Sequence, residues 1–453
     1  MEVSAIVLAA GQGSRMKSSY PKVLHEIGGA PLLIHALKCA GALVPEATVV
    51  VSGVGAEQVE EAACAWDPDI ICVWQEEQLG TGHAVLQARD ALEGLGGDVI
   101  VLYGDTPFIR PETLDAMQDA RETHDIVVLG FELDDPEARY GRLITNGEDL
   151  LEIVEFNDAT KEQRALTLCN SGVVYADKEI LFDLLTRITN DNASGEYYLT
   201  DIIAVARERG HSATVVHAAQ FETLGINTRY ELAEAEAAFQ AKARAEALDD
   251  GVTLVAPETV IFAHDTVIGR DAIIEPHVVF GPGVTVESGA RIRAFSHLEG
   301  CHVGPGAVVG PYARLRPGAQ LASDVKIGNF VEVKNAQIDR GTKINHLSYI
   351  GDATIGEKTN IGAGTVTCNY DGVFKHRTTI GRDVFVGSNT MLVAPVTLGD
   401  HSATASGAVI TMDVPEGDLA IARARQENKP GLARRMFERF RATKAELIKK
   451  EQG

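Results

Sequence analysis

Positive charge is scarce in this chain: 41 Lys and Arg stand against 64 Asp and Glu, a formal net charge of −23. So acidic a body is repelled by a phosphate backbone, which argues against nucleic acid as its partner. Cysteine is scarce too. The six, at 39, 64, 72, 169, 301 and 368, have no metal-ligand spacing and suggest a reducing compartment without a disulfide framework. No apolar run approaches the roughly 20 residues that cross a bilayer. The first residues lead into a strand rather than into a basic segment and a cleavage site. The expectation is a cytoplasmic protein with no membrane contact. Apolar residues make up an ordinary 45% of the 453, enough for two or more domains with full cores.

What the chain does have is a six-residue beat. It runs Ile268, Ile274, Phe280, Val286, Ile292, Leu298; then Val303, Val309, Leu315, Leu321, Ile327, Val333; then Ile338, Ile344, Ile350; then Ile355, Ile361, Thr367. After an interruption it resumes at Ile380, Val386, Leu392, Leu398, Thr404 and Ile410. Of these 24 positions 21 are Ile, Val or Leu, and 11 are followed directly by Gly. Neither a 3.6-residue nor a two-residue period produces this, whereas a parallel β-helix does. Three hexads close a triangular coil, the beat residue points inward, and the following Gly relieves crowding or takes a backbone angle other residues resist. The pattern resembles the left-handed β-helix acyltransferases, which implies trimers with active sites between neighbouring prisms.

Residues 1–228 read differently. Strands at Ala5–Ala9, Thr48–Val51, Ile70–Trp74 and Val99–Tyr103 alternate with helices at Pro31–Leu43, around Glu57–Ala65, and from Thr81, as its cap, to about Leu92. That order predicts a Rossmann-like, doubly wound, mostly parallel sheet, with ligands bound beyond the carboxyl ends of its strands. At the first such end stands Leu8-Ala9-Ala10-Gly11-Gln-Gly-Ser-Arg15-Met, followed by Pro21-Lys22. Glycines directly after a strand let backbone N–H groups approach phosphates, and Arg15 and Lys22 add positive charge. A tight turn would explain two glycines; the whole string resembles the signature of sugar-phosphate nucleotidyltransferases. Gln75 and Gln78-Leu-Gly80-Thr81-Gly-His83 suit a base and ribose. Tyr103-Gly104-Asp105 puts a carboxylate at a strand end, where magnesium bridging triphosphate oxygens would want one. Hairpins between 131 and 175 could cover a sugar as a lid, with Gly141, Glu155 and Asn170 bonding hydroxyls or serving only turns and edges. Asn227 is either a turn residue or a second metal ligand. Residues 229–249, rich in Ala and Glu, read as a solvated helical linker between this domain and a second one at 250–453.

In the second domain the beat places residues by arithmetic. Arg316 and Lys334 each follow a beat residue and lie 18 positions apart, so they stack one coil apart, about 4.8 Å. Adjacent cations call for an anion between them. Glu332 and Tyr349 should end the preceding side, with His346 a few residues back on it. A solvated face is the plainer alternative, but a sugar-phosphate site fits the clustering, with His346 as the base for a sugar amine attacking a thioester. Cys368 to Lys375 makes a polar excursion from the coil, where function concentrates. An Asn369 amide could stabilise an oxyanion. A basic helix after Pro430, with Met436, Phe437, Phe440 and Leu447 on one face, could pack on another subunit or hang free.

Both halves together resemble the bacterial family that fuses N-acetylglucosamine-1-phosphate uridylyltransferase to glucosamine-1-phosphate N-acetyltransferase. The resemblance runs to about Arg423. It implies that Leu8, Ala9, Ala10, Gly11, Lys22, Gln75, Gly80, Thr81, Tyr103, Gly104, Asp105, Gly141, Glu155, Asn170 and Asn227 contact UTP and N-acetylglucosamine-1-phosphate, with Mg2+ on Asp105 and Asn227. It assigns Arg316, Lys334, Tyr349 and Asn360 to glucosamine-1-phosphate, and His346 to proton acceptance. Acetyl-CoA falls to Ala363, Asn369, Tyr370, Ser388, Ser406 and Arg423. Ser14 and Ser171 stand where the family commonly has Thr, and Ser406 where some relatives have Ala. A homotrimer follows from the resemblance alone. The rivals are a monofunctional nucleotidyltransferase with a scaffolding prism, which would not need the cation–histidine cluster, and a regulatory subunit, which would not keep the Gly loop and Asp105.

Overall fold

Strand β1 (Val3–Ala9) is buried along its whole length, as a strand covered on both faces must be. It pairs in parallel with β2 (Ala47–Ser52) on one side and β4 (Asp98–Tyr103) on the other, and β2 pairs in parallel with β3 (Ile71–Trp74). Beyond β4 the sheet changes character. With β5 (Ile126–Glu132), β6 (Arg142–Asn146), β7 (Asp149–Val154), β8 (Leu168–Asp177) and β9 (Ala213–Ala218), the nine strands stand in the order β3-β2-β1-β4-β8-β5-β9-β7-β6. Here β8 is antiparallel to both β4 and β5. Helices α1 (Leu32–Gly41), α2 (Ala56–Trp66), α3 (Thr81–Gln87) and α4 (Pro111–Arg121) fill the crossovers. The computed structural model describes residues 2–451 apart from 134 and 136. It divides the chain into two compact units, one of residues 1–250, 260–266 and 280–283, the other of 251–259, 267–279 and 284–453.

Three expectations change in the first unit. Residues 142–154 do form a hairpin, but the segment around Asn170–Tyr175 is no lid. It lies in β8, where Cys169, Val173, Val174 and Tyr175 are buried in the sheet, because β4 and β5 each leave an edge for it to fill. Thr81 does not cap its helix. Gly80 takes that place, and Thr81 Oγ1 instead accepts from Leu199 N–H at 3.0 Å. The helix of residues 229–249, α5 (Arg229–Asp249), is not a solvated spacer. Ala235 is buried in an apolar cluster with Met16, Ile27 and Ile226, and Glu236 accepts from Gly28 N–H at 2.8 Å.

The second unit is the left-handed parallel β-helix. Of the 24 beat residues only Ile268 escapes full burial. Register links Ile274, Ile292, Val309, Ile327, Ile344, Ile361, Val386 and Thr404 on successive coils of 17 or 18 residues, with one coil of 25 between Ile361 and Val386. The two Thr that keep the beat are satisfied inside: Thr367 Oγ1 accepts from Gly351 N–H at 2.8 Å and Thr404 Oγ1 from Gly387 N–H at 3.0 Å.

The corners carry their own rule. Three residues before 21 of the 24 beat positions the backbone turns left-handed, and 13 of these corners are not glycine, among them Phe330, Asn335, Leu347 and Asp352. Apart from Gly310, at φ +93, the glycines after the beat are not left-handed, and crowding explains them: a side chain on Gly356 would stand 2.7 Å from Arg382 N of the next coil. This also moves one expectation. Glu332 and Tyr349 do not end the preceding side with His346. They open the strands Glu332–Ile338 and Tyr349–Ile355, while His346 ends the strand before, and the left-handed Leu347 turns the corner between them.

Candidate active sites

In the first unit a cavity of about 490 Å³ opens at the carboxyl ends of β1 and β4, lined by Leu8, Ala9, Ala10, Gly11, Lys22, Gln75, Gly80, Thr81, Tyr103 and Asp105 among others. Ten of the sequence-derived residues thus meet in one place. Gly104 N–H donates to Leu8 O at 2.9 Å, which locks the two strand ends together. Gln75 is almost wholly buried, and its amide donates to Gly80 O at 3.1 Å. Gly80 sits at φ +115, where a side chain would strike Tyr197 O at 2.6 Å. Gly80→Ala is therefore expected to destabilise the unit by about 1–3 kcal/mol, read as a lower melting temperature.

Lys22 joins the second-wall residues. Its ammonium pairs with Asp105 and donates to Asn227 Oδ1 at 3.0 Å. The two oxygens offered for a metal therefore converge on one cation-sized point. Asn227 is held there by Glu231, which accepts from its N–H at 2.6 Å and closes a capping box with Thr228 at the start of α5. The buried carboxylate of Glu222 accepts from Arg110 N–H at 3.3 Å and Thr113 Oγ1 at 2.5 Å, pinning the segment after Asp105 to the one before Asn227. Sequence reading missed both Glu residues; Thr228-x-x-Glu231 was the available signal for the first. Arg15 stands exposed on the loop and is not part of the cavity lining.

Tyr103 packs against Gly172, at φ +93, where a side chain would meet the ring at 2.7 Å. This bulge in β8 brings Asn170 alongside, with Asn170 N–H donating to Gly141 O at 2.8 Å. Glu155 accepts from Thr200 Oγ1 at 3.1 Å, and burial raises its pKa. Nearby Asp201 is pushed up to about 6, by burial first and by Glu155 next. Folding thus penalises its ionised form: the cost is absent below the unfolded value near 3.8 and complete above about 6. Asp201→Asn is expected to raise the melting temperature more at pH 7.5 than at pH 5; equal gains at both would refute the burial assignment.

In the second unit the register does the assembling. Leu315 pairs with Val333, so Arg316 and Lys334 are stacked neighbours, and Glu332 pairs with Tyr349. Arg316 is held by Glu332 at 2.8 Å. Lys375, from the excursion, crowds Lys334 and with partial burial and Arg316 lowers its pKa. Three cations thus gather at one corner, where the sequence had given two. Round the corner, Asn329 pairs with His346. The Asn329 Oδ1 lies 3.0 Å from His346 Nδ1, so Nδ1–H donates to it and Nε2 is left as the acceptor. The same column continues through Ala363, Ser388 and Ser406, because Ile361, Val386 and Thr404 are in register two residues earlier. Arg423 approaches its end beside Gly407. Tyr370 is exposed on the excursion, its hydroxyl on Gly372 O at 2.6 Å. Asn360 pairs with Lys343 within the flat face, off the corner.

Residues 5–168 match the family model of the MobA-like NTP transferase domain. Residues 265–300 match the bacterial transferase hexapeptide (six repeats), and 297–406 the GMPPB C-terminal domain. The chain is 64% identical over 449 residues to the bifunctional protein GlmU of Ruegeria sp., covering 99% of this chain and 100% of that one. It is 64% identical over 442 residues to the protein of the same name from Cereibacter sphaeroides, covering 98% and 97%. A solved UDP-glucose pyrophosphorylase, complexed with UDP-glucose, aligns with 53% of this chain and 100% of its own at 20% identity and a TM-score of 0.43.

Proposed function

The chain belongs to the GlmU family, and from that premise we propose how its residues divide two reactions between two sites. The enzyme makes UDP-N-acetylglucosamine: it transfers acetyl from acetyl-CoA to glucosamine-1-phosphate, then uridylyl from UTP to N-acetylglucosamine-1-phosphate, releasing pyrophosphate.

Uridylyl transfer belongs to the first unit. The observation that carries this is the convergence of Asp105 and Asn227 on Lys22, with Lys22 and Asp105 themselves lining the cavity. One carboxylate and one amide oxygen, with phosphate and water completing the shell, suit magnesium, which seldom uses an all-protein cage. Among the described residues there is no group of three or more His, Cys, Asp or Glu that could form such a cage. When bound there, Mg2+ supplies charge neutralisation across the triphosphate. The strand-end backbone at Leu8–Gly11 cradles phosphates, Gln75, Gly80 and Thr81 take base and ribose, and Gly141, Glu155 and Asn170 take the sugar. Lys22 and Arg15 draw charge away as the sugar phosphate oxygen attacks the α-phosphorus in line. Catalysis here is positioning and electrostatics.

Acetyl transfer belongs to the prism. Arg316, Lys334 and Lys375 hold the sugar phosphate, with Tyr349 and Asn360 on the sugar. His346 Nε2 takes the amine proton as the nitrogen attacks the thioester carbonyl, and the CoA thiolate leaves. Ala363, Ser388, Ser406, Asn369, Tyr370 and Arg423 contact acetyl-CoA. A homotrimer in the cytoplasm, with neither nucleic acid nor membrane as partner, completes the proposal. Among the described residues no helix is long and apolar enough to cross a membrane. The test is pyrophosphate release from UTP and N-acetylglucosamine-1-phosphate, expected to need Mg2+ and to stop with chelator. Release undiminished by chelator would overturn the metal assignment, and a stable monomer by light scattering the trimer.

A further inference from the structure

Asp352 is a charged residue the proposed chemistry has not used, and it is buried, 8% exposed, beside the anion corner. It sits at a left-handed coil corner (φ +47), a backbone state that Asp and Asn accept more readily than most residues. One coil before it stands Asn335 and one coil after it Asn369, each 17 residues away. Both donate through Nδ2 to the Asp352 carboxylate, Asn335 to Oδ1 at 2.5 Å and Asn369 to Oδ2. Three polar side chains thus stack along one edge of the prism as amide, carboxylate, amide.

A carboxylate only accepts hydrogen bonds. The atom of Asn369 that meets Asp352 must therefore be its nitrogen, which removes the usual freedom of an amide to flip end for end. That nitrogen carries two hydrogens and Asp352 takes one. Asn369 is itself 7% exposed, so little else competes to orient it. Its nitrogen stands at the site: a side chain added at Gly351 would collide with the Tyr349 hydroxyl and lie 2.9 Å from Asn369 Nδ2. The phenol and the amide thus meet over bare glycine backbone, one coil from Lys334. Burial alone would raise the Asp352 pKa. The amide bonds from Asn335 and Asn369, with Lys375 and Lys334, outweigh it and hold the group ionised, as an obligate acceptor has to be.

We propose that Asp352 is a positioning residue for acetyl transfer: it fixes the Asn369 amide so that its second N–H faces the thioester oxygen as negative charge develops there. This rests on the acetyl-transfer reading above. A donor aimed at a developing oxyanion acts on the transition state more than on bound substrate, so its loss appears in kcat rather than KM. Asn369 touches the reacting group; Asp352 acts only through it.

The test uses the full-length enzyme and three proteins: wild type, Asp352→Asn, and the exchange Asp352→Asn with Asn369→Asp. Asp352→Asn keeps the size and the left-handed backbone but frees the Asn369 amide to flip. Its kcat for acetyl transfer is expected to fall by about 10- to 100-fold, with KM for both substrates within about threefold of wild type. The exchange restores a carboxylate–amide pair between the coils but presents oxygen to the thioester. It is expected to recover the wild-type melting temperature and to remain inactive in acetyl transfer. Activity returning with stability in the exchange would show that no N–H donor is needed at position 369 and would overturn the proposal. So would Asp352→Asn with wild-type kcat. Should Asp352→Asn alone fail to fold, activity in the exchange would still overturn the proposal. Absence of acetyl transfer in the wild type would instead sink the reading on which the proposal stands.

Discussion

Replacing His346 by Ala is expected to cut kcat for acetyl transfer by about 10²–10⁴-fold and to leave uridylyl transfer at the wild-type rate. The amine of the sugar must lose a proton as it becomes an amide, and among the residues assigned to this site the imidazole offers a ring nitrogen to accept it. The Asn329 oxygen on Nδ1–H leaves Nε2 as the acceptor and holds the ring. His346 is exposed at the end of its strand, so the substitution removes a functional group without opening a cavity in the prism. Measured side by side, the two activities should separate completely. Acetyl transfer undiminished in the variant would remove His346 as the base.

The second large effect is expected from Asp105→Asn. The amide keeps the shape but gives up the charge that pairs with Lys22 and that would hold a divalent cation against the triphosphate. Uridylyl transfer should fall at least about 100-fold, and Mg2+ should bind the variant more weakly in a direct titration, while acetyl transfer stays at its wild-type rate. An unchanged magnesium affinity would mean that the metal is held elsewhere. Glu222 and Glu231 make a related point. Both act by fixing backbone, Glu222 across the segment after Asp105 and Glu231 on Asn227 N–H, so the placement of Asp105 and Asn227 depends on two carboxylates outside the proposed ligand pair.

The second unit was the more legible half because its regularity is arithmetic. Once the beat is found, in-register neighbours outside the one 25-residue coil follow by counting 17 or 18, and Arg316 beside Lys334 came out as expected. What counting missed was the position of the corner. It is fixed by the left-handed residue three before most beat positions, and that residue is as often Phe, Leu, Asp or Asn as Gly, so no residue type announces it. Asp352 and Asn329 were invisible for the same reason: their roles depend on partners a coil away. Lys375 was hidden by the excursion, whose return to Lys334 no periodicity encodes.

In the first unit the strand-end loop was readable because the whole string from Leu8 to Lys22, and not its glycines alone, is specific. The central place of β8 was not. Its residues alternate like any hairpin strand, and only the free edges of β4 and β5 decide that it enters the sheet. The helix of residues 229–249 misled for a comparable reason. Its small buried face, little more than Ala235 and Gln240, leaves a composition like that of a solvated spacer.

The central claim is that one chain carries two independent sites joined only by a diffusing intermediate. The most direct measurement mixes the two variants, His346→Ala and Asp105→Asn, with glucosamine-1-phosphate, acetyl-CoA, UTP and Mg2+. Either variant alone should make UDP-N-acetylglucosamine only at its residual rate; together they should make it far faster, because N-acetylglucosamine-1-phosphate released by the second is substrate for the first. A mixture no faster than the two variants measured apart, or either variant alone near the wild-type rate, would contradict the division of labour.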